Sequence, residues 1–163
     1  MKITINSHSS IRAEGQKVLR FDPFQLKNAP HDADIICITH DHYDHFSLED
    51  IERVANADTV FVVPQTLAEK LPNAIILRAG ESVEIQGVSI TAIAAYNERQ
   101  PFHPKENGWL GYCVTMDGET LYVCGDTDAT TEAKAVRCDI LALPVGGTYP
   151  MDAEQAAELA RAV

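Results

Sequence analysis

The tightest constraint on this chain lies between Ile35 and Val54. Ile35-Ile36-Cys37-Ile38-Thr39 is a nearly unbroken apolar run. Such a run reads as a strand in a sheet covered on both faces. It leads directly into His40-Asp41-His42-Tyr43-Asp44-His45-Phe46, with three histidines and two aspartates in six positions. Ser47 with Asp50 then makes a capping-box pattern, and Ile51 and Val54 begin a helical apolar stripe. Buried strand, ligand-rich loop and capped helix together form a rigid frame, with the loop at the strand's C-terminal end, a common place for sites in sheet folds.

The spacing suits a metal. His40 and His42 are two apart, so on extended backbone they point the same way and can share one cation. Asp44 and His45 follow after a turn and can reach a second. Imidazole nitrogens with carboxylate oxygens suit zinc, and manganese or iron as well. The competing reading is a solvated loop with incidental histidines. Half of the chain's six histidines fall in this loop, which weighs against it.

The chain has 163 residues, enough for one domain with a real core, and no segment approaches a membrane span. Its net charge of −11 argues against a nucleic-acid partner held through phosphates. Met1-Lys2-Ile3-Thr4 passes straight into a strand-like pattern rather than a leader. Cys37, Cys113, Cys124 and Cys138 are scattered without a Cys-x-x-Cys pair, which reads as reduced thiols in a cytoplasmic protein. A small-molecule substrate fits this balance, and a homo-oligomer stays open.

Strands are expected at Ile3–Ile5 and Val18–Phe21, with Asp22-Pro23 turning the chain. His8 lies between them, either facing the site as an outer-shell or substrate group or hydrogen-bonded within its loop. Asp22 reads as a structural or outer-shell carboxylate. Thr59–Val63 is another buried strand, after which Pro64 is expected to open a short helix through Leu71. Ile75–Leu77, Val83–Ile85 and the alternating Val88–Ile93 follow, then a long polar stretch from Ala94 to Tyr112 that carries His103. Loops of that length are usually functional. Asp117-Gly118 between two strands signals a hairpin, and the second strand runs into Gly125-Asp126-Thr127-Asp128, where Asp128 reads as a helix cap. Asp139–Pro150 reads as one more strand plus a glycine-rich turn, in which Gly146-Gly147 is a weak phosphate-loop signal and better read as letting backbone pass close to the site, and Asp152 with Gln155 caps a last helix. Strands alternating with helices, then a run of strands, indicate a layered α/β protein.

His-x-His-x-Asp-His after an apolar strand resembles the metallo-β-lactamase superfamily of binuclear metal hydrolases. Tyr96-Asn97, Phe102-His103-Pro104-Lys105 and Gly111-Tyr112 look like the small lactonase branch related to ascorbate-6-phosphate lactonases. The resemblance implies a four-layer αββα sandwich over residues 1–163. It makes His103 the third ligand beside His40 and His42, and Asp126 a bridge to a second cation held with Asp44 and His45. It further implies a metal-activated hydroxide oriented by Asp44, acting on an ester, lactone or phosphoester of a small anionic metabolite. His8, Asn97, Tyr112 and Tyr149 are the expected substrate contacts, with Lys105 and Arg99 able to meet an anionic group. Relatives carry one further metal-binding histidine in a strand beyond the helix where this chain stops. Water, a neighbouring chain or a continuation of the chain would supply that ligand, and a fragment lacking the C-terminal strand is the expectation. A metal-binding member without turnover and a nuclease are the alternatives.

Overall fold

The computed structural model describes residues 1–163, which form two compact units, Met1–Ile76 and Leu77–Val163. No helix is long and apolar enough to cross a membrane.

The first unit is organised on a six-stranded sheet in chain order: β1 (Lys2–Ser7), β2 (Ser10–Glu14), β3 (Val18–Phe21), β4 (Ile35–Cys37), β5 (Val60–Pro64) and β6 (Ile75–Leu77). β1, β2 and β3 pair antiparallel, while β3, β4 and β5 run parallel. β4 is the apolar run expected, and all three of its residues have no exposed surface. Helix α1 (Leu48–Val54) begins at Ser47, whose Oγ accepts from Asp50 N. Ile51 and Val54 then pack with Ile36, Ile38, Val63 and Leu67.

β2 was not expected from the sequence. Its Arg12 lies directly across from Arg20 of β3, a like-charge pair that would oppose pairing. Asp32 resolves the conflict. Its Oδ2 accepts from Arg12 Nε and Nη2 at 3.1 and 2.9 Å, and its Oδ1 accepts from Arg20 Nη2 at 2.7 Å. Arg12 also pairs with Glu14. The helix expected from Pro64 is a second difference. Pro64 ends β5 instead, and only a single 3₁₀ turn, Gln65–Leu67, follows.

The second unit holds a five-stranded sheet in the order β11-β10-β9-β8-β7, from β7 (Ser82–Ile85), β8 (Val88–Ala94), β9 (Leu110–Met116), β10 (Glu119–Val123) and β11 (Ile140–Ala142). β7 to β10 form an antiparallel meander, and β11 joins β10 in parallel. Its two tight turns, Gln86-Gly87 and Asp117-Gly118, both have two successive positive φ values (52° and 84°, 54° and 77°). That is the twist-matched hairpin turn. Gly111 is required for a different reason: a Cβ there would lie 2.5 Å from the Cys124 carbonyl oxygen across the β9–β10 pairing. Helices α2 (Thr131–Lys134) and α3 (Ala153–Ala162) bury Ala133, Ala156 and Leu159 among Tyr122, Cys124, Val136 and Met151. The Asp152–Gln155 capping box is formed in both directions.

Candidate metal centre

In the first unit, the loop after β4 is fixed from below by Asp22, which has no exposed surface. Its Oδ1 accepts from Thr39 N at 2.8 Å, and its Oδ2 accepts from Thr39 Oγ1 and His45 Nδ1, each at 2.7 Å. An ionised carboxylate only accepts, so His45 carries its proton on Nδ1. The Thr39 hydroxyl spends its own proton on Asp22, so at 2.9 Å it accepts from His40 Nδ1. Both rings therefore keep their lone pair on Nε2. This is the arrangement that outer-shell partners impose on metal-binding histidines.

His40 Nε2 lies 3.1 Å from His42 Nδ1. Two nitrogens on one tetrahedral zinc, each at about 2.0–2.1 Å, stand about 3.3 Å apart. The pair thus fits a shared cation. The chain then makes a helical turn, with His45 N and Phe46 N both donating to His42 O, and this turn carries Asp44 and His45 onward. Donor atoms of His8, Asp44 and His45 lie within 4.8 Å of one another. His8 Nε2 meets Asp44 Oδ2 at 3.0 Å from a backbone with φ of 50°. The intervening residues face elsewhere: Asp41 pairs with Lys70 at 3.5 Å, and the Tyr43 ring is 80% exposed beside Phe24.

The second unit contributes a separate group. His103 is 2% exposed, and its Nε2 lies 3.4 Å from Asp126 Oδ2. Its Nδ1 is 2.6 Å from Asn97 Oδ1, and Asn97 Nδ2 donates to Asp128 Oδ1 at 3.1 Å. The loop is strapped to the Gly125–Asp128 turn by Thr127, whose hydroxyl accepts from Tyr96 N and donates to Tyr96 O, both at 3.1 Å.

The expected substrate contacts divide. His8 and Tyr149 are exposed, Tyr149 with its ring against Phe102. The Tyr112 side chain is fully buried in β9, and the Asn97 amide is engaged at both ends. Asp128 caps no helix; Thr130 caps α2, and Asp128 instead receives Asn97 Nδ2 and the backbone of Glu98 and Arg99. Lys105 is committed to Glu132 at 2.7 Å, so Glu132 rather than an anionic ligand meets its charge. The amides of Gly146 and Gly147 both donate to Met151 O, which spends the donors that a phosphate loop would need. Burial, then the neighbouring Asp22, push the Cys37 thiol well above the usual range, and burial does the same to Cys124, so neither supplies a thiolate. Asp128 and the contact between Asp22 and His45 had only weak sequence signals: each is a carboxylate in a turn, and only folding reveals its partner.

Comparison with known proteins places these residues in context. A family described as β-lactamase superfamily domain matches residues 2–163. A metal-dependent hydrolase of Thermoplasma volcanium is 32% identical, over 97% of this chain and 77% of its own length. One from Nitratidesulfovibrio vulgaris is 34% identical, over 96% and 73%. Among solved structures, a protein of Parabacteroides distasonis described as a metal-dependent hydrolase superposes with a TM-score of 0.86 at 32% identity, over 98% of this chain and 76% of that one. A metallo hydrolase of Ignicoccus hospitalis, at 23% identity, shares the fold with a TM-score of 0.78.

Proposed function

Because the chain belongs to the β-lactamase superfamily and is a metal-dependent hydrolase, we propose that it cleaves an ester, lactone or phosphoester of a small anionic metabolite by attack of water. The supporting observation is the pair of histidines whose Nδ1 atoms are spent on Thr39 and Asp22, which leaves Nε2 of His40 and His45 as donors.

Carried over from the superfamily, one cation would be held by His40, His42 and His103. A second would be held by Asp44, His45 and Asp126. Zinc suits the mixed nitrogen and oxygen set best, and manganese and iron suit it too. A bound cation supplies Lewis acidity, lowering the pKa of water toward neutrality and polarising the oxygen on which charge develops. Asp44 orients the attacking water and takes its proton, and His8, 3.0 Å from Asp44, steadies that carboxylate. Tyr149, exposed beside Phe102, offers a hydroxyl and a ring edge to the substrate. The acidic balance of the chain and the buried thiols of Cys37 and Cys124 support a cytoplasmic, small-molecule role.

The test is elemental analysis of protein purified without chelators, together with a screen of esters, lactones and phosphoesters. One or two metals per chain and turnover of one class are expected. Asp44→Ala should abolish that turnover while metal at the other cation's ligands persists. Metal without turnover would make the protein a binding member of the superfamily, and hydrolysis that survives Asp44→Ala would refute the role given to Asp44.

A further inference from the structure

The loop bearing His103 contains three buried polar side chains in a line. Asp128 is 3% exposed, Asn97 8% and His103 2%. The direction of every hydrogen bond along the line is set from one end. Asp128 Oδ2 accepts from the backbone of Glu98 at 2.7 Å and Arg99 at 3.2 Å, which locks the carboxylate in place. Its Oδ1, which can only accept, takes Asn97 Nδ2 at 3.1 Å. The Asn97 amide therefore cannot turn over, and its carbonyl faces His103. At 2.6 Å that carbonyl requires a proton on His103 Nδ1. The lone pair then stands on Nε2, the nitrogen 3.4 Å from Asp126 Oδ2. The backbone closes the same loop, with Asn97 N donating to His103 O at 2.8 Å.

We propose that Asn97 and Asp128 are positioning residues which fix the tautomer and ring orientation of His103 as a metal ligand, and that Asn97 is not a substrate contact. The inference rests on the reading of His103 as a ligand. The relay also differs from the one behind His45. There a carboxylate, Asp22, bonds the imidazole directly. Behind His103 a neutral amide stands between imidazole and carboxylate. The anion thus orients the ring without bonding it.

The test begins with metal-free protein. Long-range proton–nitrogen NMR should show the proton of His103 on Nδ1. Cobalt titration, read in the visible spectrum, and zinc competition then give affinities for four variants. His103→Ala is the reference. Asp128→Asn places two amide NH₂ groups face to face and turns Asn97 over; it should shift the proton of His103 to Nε2 and weaken binding about 10–100-fold. Asn97→Asp sets two carboxylates against each other and should weaken binding similarly. The double variant Asn97→Asp/Asp128→Asn restores the order of donors and acceptors: the new amide keeps both backbone N–H bonds through its oxygen and donates to the new carboxylate, which accepts from His103. It should recover the Nδ1 proton and most of the affinity.

If His103→Ala leaves affinity unchanged, His103 is not a ligand and the underlying reading fails. If His103→Ala weakens binding while Asp128→Asn leaves tautomer and affinity unchanged, the reading survives and the positioning role falls. A double variant as weak as the singles would overturn the donor order. A proton found on Nε2 of His103 in the unsubstituted protein would overturn it without any variant.

Discussion

Replacing Asp22 with alanine should be among the most damaging single changes in the first unit. The carboxylate has no exposed surface and receives three hydrogen bonds of 2.7–2.8 Å. The Thr39 hydroxyl can rotate to another acceptor, but Thr39 N and His45 Nδ1–H cannot. Two stranded buried donors at about 1–3 kcal/mol each give a loss of about 2–6 kcal/mol. That is a large part of the ~5–15 kcal/mol that holds a domain folded. Urea unfolding of the metal-free protein measures it, with the slope checked to show that the denatured state is unchanged. Asp22→Asn separates stability from ligation. The amide oxygen can still serve Thr39 N, while the NH₂ group turns toward His45 and moves the imidazole proton to Nε2. Stability should fall less than in the alanine variant, and metal affinity should fall about 10–100-fold. A loss under about 1 kcal/mol for Asp22→Ala, or full metal affinity in Asp22→Asn, would refute the argument that this carboxylate anchors the loop.

Gly111→Ala drives a Cβ to 2.5 Å from one backbone oxygen and 2.8 Å from another, neither on a flexible side chain, and should cost about 1–3 kcal/mol in thermal unfolding; an unchanged midpoint would show that β9 and β10 can part without penalty. At Asp32, burial raises the carboxyl pKa but the hydrogen bonds from Arg20 and Arg12 outweigh it, so the folded state holds it below its ordinary value. The stabilisation is therefore present above the unfolded value of about 3.9 and is lost as pH falls through the lowered folded one. Asp32→Asn should thus be destabilised at neutral pH, with the gap to the unsubstituted protein closing below about pH 4; a gap that is constant with pH would mean Asp32 acts by shape rather than charge.

The sequence was legible where one segment carries its own reason. β4 is apolar throughout, Asp117-Gly118 forms the turn its residues favour, and Asp152 finds Gln155 three residues on. It was opaque where the reason lies in a distant partner. β2 alternates charged Arg12 and Glu14 with Ile11 and Ala13, and only Asp32, 20 positions from Arg12 and 12 from Arg20, turns the two arginines from a repulsion into a pairing. The His/Asp cluster at His40–His45 announced itself by composition. The supporting role of Asp22 was legible too, but not its partners, because an Asp-Pro turn looks the same whether its carboxylate faces water or an imidazole. From sequence alone Asp128 looks more like a cap than a ligand. Its neighbour Thr130 does that work, and Asp128 faces a loop thirty residues upstream.

The meander from β7 to β10 pairs each strand with its neighbour in the chain, and two of its three connections are two-residue turns. Contacts so close in sequence form quickly, since little loop entropy is lost before they are rewarded. β11 must wait for the crossover through α2 before it can lie parallel to β10. During synthesis, then, the meander can zip up as it emerges, with β11 added as a slower second event. The outer flank of β10 stays open in the interval, the stage at which an unfinished chain is most exposed to pairing with another copy of itself.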